Sequence, residues 1–520
     1  MTTIDTSGSD RIDPRRLIAF LAMCFGMFMA FLDIQVVSAS LNEIQAGLAA
    51  SADEISWVQT AYLIAEVIAI PLSGFLSRAL GTRLMFAGSA AGFTFASLMC
   101  GLSSSMDQMI VWRAIQGFIG GGMIPTVFAA AYVIFPRSRM AVIAPMIGLV
   151  ATLAPTIGPT VGGYLTDALS WHWLFFINII PGIVVATAAL VLIDFDQPDF
   201  SLFTYFDWFG LIFMAAFLGS LEYVLEEGTR NDWFEDSTIT FFAIVSVLSA
   251  VAFFLRVFTA RQPIVDLTAF ANRNFALGSM FSFVLGIGLY GLTYLYPLYL
   301  ARIRGYDALM IGETMFVSGV VMFVCAPVVG RLMDKVDPRF MLVFGFVTFA
   351  AGSWQMSYLT KDFDFWELFM PQVLRGIGLM FAMVPITNVA LGTLAPERVK
   401  NASGLFNLTR NLGGAVGLAA LNTVLDNRMD LHFARLHEAV NWSRPAATET
   451  LANLTARFSS FAGDAPNMAL KQLMLLARQQ GTVMAFADVF WLLALLFAAF
   501  GLLAVMMRRP PPLTQASASH

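Results

Sequence analysis

GFLSRALGTR (74–83) and GRLMDKVDPR (330–339) are two short basic stretches, each opening on a glycine at the end of an apolar run. What comes after them also matches: RAIQGFIGGGMIPT starts at Arg113 and RGIGLMFAMVPIT at Arg375. A chain that repeats a basic loop and then an arginine-headed apolar helix consists of two related halves. That internal symmetry is the pattern of transporters in which one helix bundle rocks against another.

Composition decides the solvent in which those halves fold. Of 520 residues, 58% are hydrophobic and 12% charged, against roughly half apolar and about a quarter charged in a soluble domain. This is the balance of a membrane protein. The net charge of -5 is not gathered into a tail, which argues against a nucleic-acid partner. The three cysteines, Cys24, Cys100 and Cys325, sit in apolar runs without CxxC spacing and read as packing residues. The four histidines, His172, His432, His437 and His520, are scattered. They form neither a metal set nor a catalytic cluster, and no GxxxxGK[ST] pattern is present, so no cofactor and no ATP site is expected.

Fourteen apolar runs are long enough, at about 20 residues, to cross a hydrocarbon core as helices. They cover 16–41, 57–76, 84–102, 108–134, 140–163, 172–193, 206–225, 238–258, 275–300, 309–331, 339–359, 367–392, 402–425 and 484–507. The first is longer than a signal h-region and reads as retained. An even number places both termini on one side. Arg15, Arg16, Arg78, Arg83, Arg256, Arg261, Arg331, Lys335, Arg398 and Lys400 fall on the terminal side, whereas the short loops opposite hold Arg230, Arg302, Arg304 and Lys361. By the positive-inside rule the termini are cytoplasmic. The expected division is a six-helix bundle (1–195), two inserted spans (196–262), five helices of a second bundle (263–425), an outside loop (426–483), and a last helix with its tail (484–520). In the outside loop Leu431, Phe433 and Leu436, then Leu451, Leu454 and Phe458, then Leu470 and Leu473 predict short amphipathic helices.

Six charges lie inside spans: Asp33, Glu66, Arg113, Glu222, Arg375 and Arg410. Each costs about 2.5–3.5 kcal/mol at a helix centre, so such groups face a bundle interior or a wet cavity. Asp33, in FLDIQVVSAS (31–40), is the first candidate for proton exchange and Glu66 the second, with Arg113 as the charge that modulates them. Asp33 and Ser40 are read as a small polar notch facing a central cavity. Glu222, followed by Glu226 and Glu227, fits either a pathway residue or a snorkelling helix end. Arg113, Gln116, Gly117, Gly120 and Gly121 share a helix face, setting a cation and an amide above a glycine groove. Asn407, Arg410 and Asn411 form a polar stripe that is either pathway or inter-bundle anchor. Gly148, Pro155, Pro159, Gly162 and Gly163 share another face and permit a bend, though small-residue packing explains most of such glycines.

These residues resemble the major facilitator superfamily, and within it the fourteen-helix drug:proton antiporters of the EmrB/QacA type. GFLSRALGTR looks like the superfamily's second-to-third-helix loop motif, with Gly74, Arg78 and Arg83. GRLMDKVDPR is its second-half counterpart, with Asp334. WRAIQGFIGGG resembles the fourth-helix arginine motif, matched by Arg375. APTIGPTVGGY (154–164) resembles the antiporter motif, with Pro155, Gly158, Pro159, Gly162 and Gly163. FLDIQVVSASL, WHWLFFINIIPG and GLFNLTRNLGG resemble further signatures of the EmrB branch. The likeness runs in order over nearly the whole chain. Departures are Arg78 where the loop motif usually has an acidic residue, Gln35 where Thr is common, and Ser38 where Asn is usual.

The resemblance implies an all-α integral membrane protein of two six-helix bundles plus two inserted helices, and proton-coupled export of hydrophobic or amphipathic toxic compounds by alternating access. Gln35, Gln116, Glu222, Asn407, Arg410 and Asn411 are the expected substrate-pathway residues. The expected location is a bacterial inner membrane, with a periplasmic adaptor protein and an outer-membrane channel as partners. Export of fatty acids, aromatic acids or another endogenous metabolite is the alternative. Proton-coupled uptake is disfavoured by the GPxxGG sequence.

Overall fold

Inside a bilayer each backbone N–H and C=O must find its partner within the protein, which leaves an apolar chain of this kind to form helices. The computed structural model describes residues 13–51, 54–136, 139–333, 335–441, 443–459 and 464–506, and among the described residues it is helical with no strand. The first half comprises α1 (Pro14–Ala39), the short α2 (Leu41–Leu48), α3 (Trp57–Ala79), α4 (Gly81–Gly101), α5 (Met106–Gly120), α6 (Met123–Ile134), α7 (Met140–Ala168), α8 (Trp173–Phe176) and α9 (Ile179–Leu192). The inserted pair follows as α10 (Trp208–Glu227) and α11 (Ser237–Thr259). The second half is α12 (Arg273–Tyr299), α13 (Ala308–Met333), α14 (Pro338–Met356), α15 (Phe365–Gly392), α16 (Pro396–Ala439), α17 (Pro445–Phe458) and α18 (Ala465–Leu503).

Short polar side chains start these helices. Asp13 accepts from the Arg15 N–H ahead of Pro14, Asp207 from Gly210, Asp236 from Thr238 and Ile239, and Asn272 from Asn274 and Phe275. Each satisfies an amide that has no intrahelical partner. Twelve helices among the described residues are long and apolar enough to span a membrane. The remaining two expected spans are formed by α14 and α16, which are helical at 339–356 and 402–425 but more polar. The fourth span is divided: α5 ends at Gly120 and α6 begins at Met123, with a turn at Gly121 and Gly122.

Of the short helices expected in 426–483, the middle one, with Leu451, Leu454 and Phe458, is α17, and the two flanking ones are corrected. α16 continues unbroken to Ala439 and α18 begins at Ala465, so both flanks of that segment extend spanning helices, and α17 packs on α18. At about 1.5 Å per residue, a helix of 44 residues is roughly 66 Å long, about twice the hydrocarbon thickness. The two halves meet along α7 against α13 and along α3 against α16, while α10 packs on α3 and α16 and α11 packs on α10. The inserted pair therefore lies beside the seam between the halves.

Candidate functional site

Asp33 does not open onto the central cavity; its carboxyl turns into the first bundle. Arg113 NH1 donates to Asp33 Oδ2 at 2.6 Å, with both side chains 0% exposed. Gln116 Nε2 donates to Oδ1 at 3.1 Å and Asn178 Nδ2 to the same oxygen at 2.7 Å. Arg113 Nε donates to the Val58 carbonyl at 3.0 Å, and its guanidinium lies 4.2 Å from the Tyr62 ring centre. α5 and the α8–α9 junction thus converge on one carboxylate of α1, and α3 holds the arginine that meets it. Ser40 meets Thr166 on α7, Oγ to Oγ1 at 2.9 Å, and takes no part in this network.

The second half repeats the arginine but not the acid. Arg375 is buried on α15, and its NH2 donates to Thr293 Oγ1 on α12 at 2.7 Å, with Gln372 one turn away. Thr293 occupies on α12 the place that Asp33 holds on α1. Arg410 is likewise buried on α16; it donates to Asn407 Oδ1 at 2.5 Å and sits over the rings of Phe31 and Phe128. Among the described residues neither Arg375 nor Arg410 forms an ion pair.

Between the halves, at the end opposite the termini, lies a cavity of about 590 Å³. Gln35, Ser38, Gln59, Pro159, Tyr290 and Asn422 contribute to its wall, with Glu226 and Glu227 from α10. Thr60 fixes Glu227 by donating Oγ1–H to Oε1 at 2.9 Å. Its inner recess, about 60 Å³, is bordered by Glu66, Glu222, Glu226, Tyr290 and Asn411. Glu66 is 2% exposed, and among the described residues its Oε1 has no hydrogen-bond partner. Glu222 is buried here on the recess wall rather than snorkelling from a helix end. Gln35 and Asn411 border the cavity system as the pathway reading expected, whereas Gln116, Asn407 and Arg410 lie within buried networks outside its lining.

The terminal end is closed by contacts between the halves. Lys400 on α16 forms an ion pair with Asp196 and donates to the Ser77 carbonyl at 3.3 Å. Asp196 in turn caps α4, accepting from Thr82 N at 3.0 Å. A Cβ at Gly74 would stand 2.9 Å from Asn401 Cα, so only glycine allows α3 to meet α16 there. Ser403 donates to the Pro125 carbonyl at 2.6 Å, and Tyr132 to the Thr387 carbonyl at 3.1 Å. Arg78 donates Nε–H to its own helix at Gly74 O, 3.3 Å, and takes no part in that ion pair. Arg83 is exposed at the start of α4. Asp334 lies outside the described residues.

α7 runs as one helix through Pro145, Pro155 and Pro159, so the permitted bend leaves the helix unbroken. A Cβ at Gly158 would fall 2.3 Å from Gln35 Cβ, and one at Gly162 2.7 Å from the Val36 carbonyl. Gly163 is buried beside them and Pro155 is buried one turn below, while Pro159 reaches the cavity wall. The antiporter-like face thus holds α1 close to α7 where α1 carries Gln35 into the cavity.

Asn178, Tyr62 and Thr293 were not singled out from sequence. Asn178 lies in WHWLFFINIIPG, where an asparagine in an apolar run was itself a signal. Nothing but alignment of the two halves marks Thr293.

Residues 23–418 match the family model described as Major Facilitator Superfamily. The chain is 43% identical over 490 residues to the colistin resistance protein EmrB of Acinetobacter baumannii, covering 94% of this chain and 96% of that protein. It is 29% identical to the multidrug export protein EmrB of Escherichia coli over 95% of this chain and 96% of the other. The fatty acid resistance protein FarB of Neisseria gonorrhoeae is 28% identical over 96% and 97%. Among solved structures, the human organic anion transporter MFSD10 superposes with a TM-score of 0.59 at 12% identity, covering 93% of this chain and all of that one, a likeness of fold. Two related helix bundles around a cavity, matched along the chain's length, place this protein in the major facilitator superfamily, among its EmrB-like multidrug transporters.

Proposed function

We propose that the chain exports hydrophobic or amphipathic toxic compounds across a bacterial inner membrane by alternating access, in exchange for protons entering from the far side. The observation that carries this reading is the recess: Glu66 is a buried carboxylate with an unpartnered oxygen, set on the wall of a cavity that reaches one end of the molecule while the other end is closed. A carboxylate taken out of water favours its neutral form. When the cavity is wetted from one side it can take up a proton, and when it faces the other side it can release one. Asp33, held by Arg113, Gln116 and Asn178, acts in this reading behind Glu66, as the fixed charge against which the recess works.

The test is Glu66→Gln in everted membrane vesicles. Substrate accumulation driven by a pH gradient is expected to fall to background, while gradient-independent exchange of labelled substrate persists. Full gradient-driven accumulation in the variant would remove Glu66 from the coupling step.

The extension of α16 and α18 beyond the membrane, with α17 against α18, supports docking of a periplasmic adaptor that leads to an outer-membrane channel. With that extension on the periplasmic side, the termini of this reading lie in the cytoplasm. Deleting 445–458 is expected to abolish adaptor pull-down; unchanged capture would sink this part. Similarity to the fatty acid resistance protein of Neisseria gonorrhoeae favours a second reading, export of fatty acids or another amphipathic acid. Protection of a sensitive strain against a long-chain fatty acid, but not against cationic dyes, would select it.

A further inference from the structure

The two inserted helices are usually the part of such a chain that a twelve-helix core can do without, yet α10 lies at the cavity rather than on the periphery. Glu222 and Glu226 stand one helical turn apart on α10, and both border the recess that Glu66 borders from α3. Among the described residues no basic side chain lines that recess, and Arg230 lines the adjoining outer cavity. Glu227 is occupied by Thr60, while Glu222 and Glu226 border the recess. Glu66, nine-tenths buried and more, contributes an unpartnered oxygen to the same space. The flanking Tyr290 offers an aromatic face, and its hydroxyl is engaged by Asn411 at 3.3 Å. Carboxylates on two sides and an aromatic ring on a third are the elements that recognise an organic ammonium group.

Size supports the same assignment. A recess of about 60 Å³ holds roughly two waters at about 30 Å³ each, which suits a headgroup and not a whole drug. It continues into the 590 Å³ cavity through shared wall residues Gln35, Gln59, Glu226, Tyr290 and Leu418. That larger space is walled by leucine, tyrosine and proline side chains together with polar groups that include Gln59, Asn422 and Arg230, and its apolar part fits an apolar body.

We infer that the inserted helix α10 supplies the cation subsite of the transport cavity, with Glu222 and Glu226 holding the ammonium headgroup of an amphipathic amine whose apolar body fills the outer cavity. The inserted pair thereby sets substrate charge preference. This deepens the export reading and rests on it for the transport step, though not for binding.

The experiment measures binding of decylammonium and of uncharged decanol to the purified full chain in lipid nanodiscs, by quenching of tryptophan fluorescence. In the wild type decylammonium should bind more tightly than decanol. E222Q/E226Q should weaken decylammonium at least tenfold and leave decanol within twofold, and E222D/E226D, which keeps both charges, should retain most of the preference. Unchanged decylammonium binding in E222Q/E226Q overturns the assignment. So does an equal loss for both probes, or a glutamine variant matched by the aspartate one. If the preference behaves as expected but wild-type proteoliposomes move no decylammonium under a pH gradient, the export reading fails and the subsite stands.

Discussion

Asp33 and Glu66 are both buried carboxylates on neighbouring helices, and they are not equivalent. Asp33 accepts three side-chain hydrogen bonds, one from a guanidinium; Glu66 has an oxygen with none. The difference predicts opposite phenotypes. Removing one member of a buried ion pair leaves the other uncompensated, at a cost of about 3–5 kcal/mol, whereas replacing both is often close to neutral. Asp33→Asn is therefore expected to lower the melting temperature of the solubilised protein, and Asp33→Asn with Arg113→Gln to recover much of the loss. Thermal unfolding of the two single variants and the double, read as a cycle, decides it. Additive effects would mean that the pair contributes nothing as a pair. Glu66→Gln should instead leave stability unchanged or raise it. Sequence marked both acids, because a charge in an apolar run is visible in one dimension. It did not separate them, because Arg113 and Gln116 reach Asp33 from α5 and Asn178 from the α8–α9 junction, and their convergence exists only in the fold.

At the scale of elements, α7 is the part that sequence described best. Its glycines and prolines were legible as one face, since that periodicity is local. The use of the face is equally concrete: Gly158 leaves room for Gln35 and Gly162 for the Val36 carbonyl. Gly158→Ala puts a methyl 2.3 Å from Gln35 Cβ, and overpacking of this kind costs typically about 1–3 kcal/mol. The strain falls between α1 and α7, so the variant is expected to insert normally and to lose export severalfold. Equal export by Gly158→Ala and wild type in the vesicle assay would show that the contact is slack. The stretch 426–483 was the least legible. Hydropathy reports whether a residue suits lipid, not whether a helix continues into water. The polar turns of α16 after Leu425 and of α18 before 484 therefore read as loop. α10 was left open for a related reason: Glu222, followed by Glu226 and Glu227 near a span's end, fits a pathway residue or an interfacial fringe until α3 and α16 are packed against it.

The whole molecule holds one of its two alternating arrangements, closed at the terminal end and open to a cavity at the other. A balance between two such states shifts only by contacts that differ between them. The Lys400–Asp196 pair is one, since it joins α16 of the second half to the segment capping α4 of the first. Arg78, which sequence registered as a departure, is turned back onto its own helix and takes no part in this pair. Lys400→Glu sets two carboxylates against each other and should favour the opposite arrangement. Asn422 lines the far-end cavity, so Asn422→Cys, in a chain whose Cys24, Cys100 and Cys325 are replaced by serine or alanine, reports on that opening. A membrane-impermeant thiol reagent is expected to label it about tenfold more slowly when Lys400→Glu is added, the factor that about 1.4 kcal/mol between states gives. Exchanging the charges, Lys400→Glu with Asp196→Lys, should restore the rate. If labelling is equally fast in all three proteins, the closure is held by the glycine contacts and carbonyl hydrogen bonds of α3, α6 and α16 alone, and the ion pair is not its latch.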